Sequence, residues 1–142
     1  LQEIDRSLEE VSEKVLSQLS SQMDDLAFNK ALSTIWELVN ATNKYVDETA
    51  PWSLAKEEKD RPRLATVLYQ ALESLRFIAL LLTAFVPSTS EKMWSQLGIE
   101  ENIWEQNLIL DGKWGGLKPG RRVVKPTPLF PRIDSAKIPQ GA

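Results

Sequence analysis

RLATVLYQALESLRFIALLLTAF, residues 63–85, is the stretch whose reading decides the fold. Leu64, Val67, Leu68, Ala71, Leu72, Leu75, Ile78, Ala79, Leu82 and Phe85 recur at steps of three and four, which lays a wide apolar face along one side of an α-helix. Toward its end the segment is apolar all round, so that end belongs in the middle of a bundle. The longest nearly apolar run, Phe77 to Val86, is too short to cross a bilayer. Pro87 ends the helix. Ser88 followed by Glu91 predicts a capping-box start for a last helix that closes at Leu97, with Gly98 as its left-handed cap.

The same periodicity extends toward the N-terminus. Ile4, Leu8, Val11, Val15, Leu19, Met23 and Leu26 form one stripe, and Phe28, Leu32, Ile35, Leu38, Val39, Thr42 and Val46 form a second, with Asn29 as the expected N-cap. Two or three residues between these helices predict an antiparallel hairpin. Pro51 then breaks the pattern, and a short helix from Pro51 to about Lys59 is expected, with the proline in its first turn. The fold class is therefore all-α: an antiparallel bundle of four main helices plus one short helix.

Charge and texture change near residue 112. Residues 1–112 carry ten Lys and Arg against nineteen Asp and Glu, whereas residues 113–142 carry seven against one. Gly115, Gly116, Pro119, Gly120, Pro126, Pro128, Pro131 and Pro139 crowd the second stretch and preclude a long helix. The reading is a helical body, 1–112, and a basic, extended Pro/Gly-rich tail, 113–142. That tail either contacts phosphates through Lys113, Lys118, Arg121, Arg122, Lys125 and Arg132, or folds onto an acidic surface. Leu129, Phe130 and Ile133 favour docking.

The 142 residues contain no cysteine and no histidine. Thiol nucleophiles, Cys/His zinc sites and His-based triads are thereby excluded within this chain. The net charge of −3 argues against a protein that coats nucleic acid everywhere. Asp24 with Asp25, Asp47 with Glu48, Glu57 with Glu58, and Glu100 with Glu101 are sequence neighbours that point about 100° apart on a helix, so each pair reads as solvated surface. No GxxxxGK[ST] or GxGxxG is present, and Gly115-Gly116 reads as a turn. No catalytic residue and no metal site is expected. The chain begins at Leu1 without a secretory leader, as expected for a soluble protein supplied as a fragment or a processed form.

Five tryptophans are the more informative feature. Trp36 and Trp94 lie beside apolar stripes and are expected in the core. Trp52 follows Pro51 at a chain reversal, flanked by Thr49, Ala50 and Ser53. On spacing alone the balance leans toward a ring folded under the preceding helix. The other reading is an indole face held outward, as base stacking requires.

The segment ALSTIWELVNATNKYVDETAPWSLAK, residues 31–56, resembles the anticodon-binding domain of methionyl-tRNA synthetases, class I aminoacyl-tRNA synthetases. NKYVDE followed by PW-x-L-A-K carries the resemblance. It continues through the Leu64 to Pro87 helix and SEKMWSQLG at 90–98, and closes on PLFPRID at 128–134. The resemblance implies a helix bundle that reads the CAU anticodon of the methionine tRNA, with Trp52 stacked on the splayed first anticodon base and Pro51 shaping the corner. It places Asn43 as a brace of that corner and Lys56 near backbone phosphate. Related bundles occur in leucyl-, isoleucyl-, valyl- and cysteinyl-tRNA synthetases, and the NKYVDE-x-x-PW corner favours methionine. A helical protein-interaction module is the reading from a different class.

The family's domain opens with a further helix bearing an Asn and an Arg that meet the anticodon, and its catalytic signatures, one histidine-rich and one KMSKS-like, lie elsewhere; neither is among these residues. No cofactor is expected in this chain. The resemblance implies that ATP, methionine and magnesium bind a separate catalytic domain, toward which the tail returns. The implied partners are the anticodon stem-loop of tRNA(Met) and that catalytic domain, with no DNA and no membrane, and the implied location is cytoplasmic.

Overall fold

The structure is a computed structural model that describes residues 1–107, 112–125 and 127–132. Helix α1 (Glu3–Asp24) and helix α2 (Phe28–Thr49) form the expected hairpin across a three-residue connection. Lys14 pairs with Glu37 at 2.9 Å, and Asp5 accepts a hydrogen bond from the Tyr45 hydroxyl at 2.6 Å, so early residues of one helix meet late residues of the other. Helix α3 (Pro51–Leu54) is a single turn, followed by a 3₁₀ turn at Glu58–Asp60. Helix α4 (Arg61–Leu81) continues as a 3₁₀ turn, Leu82–Ala84, before helix α5 (Pro87–Gln96) and a last 3₁₀ turn at Ile103–Glu105. Among the described residues there is no strand.

The core is built from Leu8, Val15 and Leu19 of α1, Ala31, Ile35, Leu38 and Tyr45 of α2, and Val67, Phe77, Ile78 and Leu81 of α4. Each fully buried Leu, Ile or Phe contributes ~1.5–3 kcal/mol relative to exposure, so these three helices carry most of the stability. Residues 77–82 are all buried, in agreement with the central position read for the end of that helix. A smaller cluster of Ala79, Leu80, Trp94 and Ile103 seats α5. The stretch Glu58–Ala84 is long and apolar enough to cross a membrane by composition alone, but more than half of its most apolar window is buried inside the bundle.

Several sequence expectations shift. Leu26 is not on the α1 stripe: it takes a left-handed backbone (φ 55°) that ends the helix, and it is exposed. α2 starts at Phe28 with Ala27 as N-cap rather than Asn29, and the Phe28 ring is exposed. Trp36 is 52% exposed, whereas Trp94 is buried as expected. α5 starts at Pro87, not beyond Ser88, and has no side-chain cap. A proline in the first turn has no N–H needing a partner, and Glu91 instead accepts a hydrogen bond from the Trp104 indole. The largest departure is on α4: Leu68 and Leu75 are exposed, while Gln70, Glu73 and Arg76 are buried.

The described part of the tail lies on the bundle. Val124 donates its N–H to the Gln96 carbonyl at 3.0 Å, the Gln96 side chain donates to Thr127 at 3.0 Å, and Arg121 donates to the Gly98 carbonyl at 2.9 Å. Gly98 takes the left-handed cap (φ 70°), and a Cβ there would meet the carbonyl of Arg122. Leu129 is half-buried, as docking requires, but Phe130 is exposed. Ile133, Pro126 and Pro139 lie outside the described residues.

Candidate nucleic-acid interface

The corner after α2 is set by backbone geometry. Ala50 sits in the left-handed region (φ 42°, ψ 62°), with its N–H on the Val46 carbonyl. Its own carbonyl accepts from Ser53 at 2.8 Å and Leu54 at 3.3 Å. Pro51 fills the first position of α3, where its fixed φ suits the turn and its missing N–H costs nothing. Leu54 packs against the main core, while Trp52, two residues earlier on that single turn, is left 56% exposed. The indole N–H of Trp52 has no acceptor among the described residues. The outward orientation is therefore the one adopted.

Tyr45 and Arg63, on either side of this corner, meet at one carboxylate. Asp5 is fully buried, and its carboxylate accepts from the Tyr45 hydroxyl at 2.6 Å, the Arg63 guanidinium at 2.6 Å and the backbone N–H of Gln2 at 2.7 Å. Burial alone would raise the pKa of this carboxyl, but the hydrogen bonds from Arg63, Tyr45 and Gln2 outweigh it and hold the group at about 2. The Tyr45 hydroxyl is pushed up by burial and by the adjoining carboxylate, so it remains a donor. Arg63 is held in its charged form chiefly by the Asp5 hydrogen bond.

A second buried carboxylate organises residues 113–117. Glu73 accepts from the backbone N–H groups of Gly115, Gly116 and Leu117 at 2.8, 2.9 and 2.9 Å, and from Arg76 at 2.7 and 2.9 Å. Arg76 also donates to the Lys113 carbonyl at 2.8 Å. Trp114 donates to Gln70 at 3.0 Å and tilts against Phe77, with ring centroids 5.9 Å apart. The Gly115-Gly116 pair is thus more than a turn. Successive N–H groups cradle an anion, and a Cβ on Gly116 would come within 2.8 Å of the Arg76 guanidinium. Farther on, Glu101 is held at about 2 by the hydrogen bond from Lys118 first, then by one from its own backbone N–H and by those from Arg121, with Lys118 and Arg121 each at 2.7 Å.

Of the residues singled out from the sequence, Trp52 and Pro51 share the corner, and Lys56 is exposed just after it. Asn43 is exposed on α2 and makes no hydrogen bond to the corner among the described residues. Asp5, Tyr45 and Arg63 meet at one buried carboxylate, a meeting that spacing did not reveal because each comes from a different helix. Among the basic tail residues, Lys118 and Arg121 are committed to Glu101. The other adjacent carboxylates read as solvated are exposed, and no cluster of acidic groups among the described residues could hold a metal ion.

Comparison with known proteins gives this geometry a family. The family described as the anticodon binding domain of methionyl tRNA ligase matches residues 2–140. A methionine–tRNA ligase of Caldanaerobacter subterraneus subsp. tengcongensis is 49% identical over 138 residues, taking in 96% of this chain and 21% of the relative. The Bacillus subtilis methionine–tRNA ligase is 42% identical over 134 residues, 94% of this chain and 20% of the relative. Among solved structures, the apo Mycobacterium tuberculosis methionyl-tRNA synthetase superposes with a TM-score of 0.83 at 29% identity, covering 94% of this chain and 27% of that one. The bundle is thus one of the helical anticodon-binding domains of the tRNA ligases. Within that class, the chain belongs to the family of the methionyl-tRNA ligase anticodon-binding domain. It spans about a fifth of the length of the curated relatives it matches.

Proposed function

We propose that this domain reads the CAU anticodon of methionine tRNA by stacking Trp52 on the unpaired first anticodon base, and so positions the tRNA for aminoacylation by a separate catalytic domain. The observation that carries the reading is the half-exposed Trp52 indole on a corner whose backbone is fixed on both sides. Pro51 shapes the corner. Lys56 stands where it can meet backbone phosphate, and Asn43 offers amide hydrogen-bonding groups from the exposed side of α2. ATP, methionine and magnesium belong to the catalytic part of the enzyme, which works in the cytoplasm.

Stacking is worth ~1–3 kcal/mol per base, which is about 5- to 150-fold in kcat/KM. Trp52→Ala in the full-length enzyme is expected to lower aminoacylation efficiency by that range and to leave ATP–pyrophosphate exchange with methionine unchanged. Equal losses in both assays overturn the reading. Transcripts with swapped anticodons complete the test: the loss must be confined to those carrying CAU.

A further inference from the structure

We propose that Asp5 is a positioning residue for the Trp52 corner, because one buried carboxylate closes both ends of the chain segment that carries the indole. The inference rests on the reading of Trp52 given above. Tyr45 and Arg63 bracket residues 46–62, and none of the residues between them is fully buried. That segment has little core of its own. Its single-turn helix is too short to persist alone, and Ala50 occupies a left-handed conformation that is unfavourable for a residue with a Cβ. Such a conformation survives only where the surroundings over-determine it. Val46 and Leu54 supply partial packing, and the Asp5 carboxylate supplies the rest by fixing the last turns of α2 and the first turn of α4 at one point.

Each Asp5 oxygen has its own task. Oδ1 receives the Tyr45 hydroxyl, while Oδ2 receives both Arg63 and the Gln2 N–H. An asparagine can present only one oxygen, and Arg63, having no acceptor, must take it. The amide then turns its NH₂ toward Tyr45, whose hydroxyl can reverse, but the charge that holds Arg63 is gone. The two ends of the corner loosen while the apolar core remains.

Steady-state aminoacylation by the full-length enzyme tests this. Asp5→Asn should raise KM for the methionine tRNA transcript ~10-fold, with kcat and the ATP–pyrophosphate exchange rate unchanged, and Tyr45→Phe should do the same ~3-fold without touching the buried charge. In a Trp52→Ala background the same substitutions should change KM less than ~2-fold, since a corner without its indole has nothing left to position. Should Asp5→Asn fail to fold by circular dichroism, the Tyr45→Phe cycle decides alone. Additive losses in the double variants, an unchanged KM in the foldable single variants, or a parallel fall in exchange rate overturns the inference while leaving the stacking role of Trp52 intact. An unchanged kcat/KM in Trp52→Ala alone removes the stacking role, and this inference with it.

Discussion

At the corner, the buried carboxylate of Asp5 is answered by side chains from α2 and α4 and by one N–H at the start of α1; in residues 113–117, that of Glu73 is answered by three successive backbone N–H groups and a neighbouring arginine. Both sites solve the same problem, because an ionised carboxylate leaves water only when donors replace its hydration. The donors decide what is fixed. Side-chain donors from separate helices set the relation of those helices and leave the intervening chain exposed, with Trp52 upon it. Backbone donors set the path of a loop and draw it inward, so that Trp114 packs half-buried on Phe77. One arrangement displays an aromatic ring and the other stores one.

The contrast can be broken most directly at Glu73. Glu73→Gln removes the buried charge that faces Arg76 and turns one of two acceptor oxygens into an NH₂. Either the Leu117 N–H or those of Gly115 and Gly116 then lose their acceptor, and unfolding in urea should show a loss of ~3–5 kcal/mol. Amide exchange in 113–117 should accelerate as well. A loss under ~1 kcal/mol would mean that the loop is held by Trp114 and Leu117 and not by the carboxylate.

Acid sharpens the comparison from the corner side. Asp5 titrates near 2 when folded and near 3.8 when unfolded, so the unfolded chain takes up the proton first as pH falls. Its contribution, about 2 kcal/mol, is complete above pH ~5 and is lost progressively as pH falls through 4 toward 2. Thermal melts of the wild type across that window should lose stability more steeply than those of Asp5→Asn, which lacks this group. Parallel slopes would remove Asp5 from the account. The smallest effect belongs to the displayed ring: Trp52→Ala should change stability by no more than ~0.5 kcal/mol, as expected for an exposed side chain away from core and caps. A larger loss would place the indole in the packing after all.

Helix existence and order were legible in the sequence because periodicity is a local property. Leu8, Val15 and Leu19, or Ile35 and Leu38, sit three, four or seven residues apart wherever the rest of the chain goes. Helix ends were less legible: Ala27, not Asn29, precedes α2, and Pro87 opens α5, since several weak caps compete and packing selects among them. On α4, periodicity put Leu68 and Leu75 inward, but the polar face of Gln70, Glu73 and Arg76 is the one covered by residues 113–117. No local pattern reports that a glycine pair some forty residues away will supply the missing donors.

The corner divides the same way. Pro51 and the quoted motif sufficed to mark Trp52, and the family comparison agrees with the domain that motif implied. From the linear order alone came an all-helical bundle, a proline-led turn and the absence of thiol and imidazole chemistry, all of which depend on residue type and near-neighbour spacing. Tertiary structure alone decided that Trp52 and Trp36 are left more than half exposed, and that Asp5, Tyr45 and Arg63 from three different helices meet at one buried carboxylate. Those outcomes depend on which groups from distant helices arrive within hydrogen-bonding distance, and a buried charge is stable only after they have arrived.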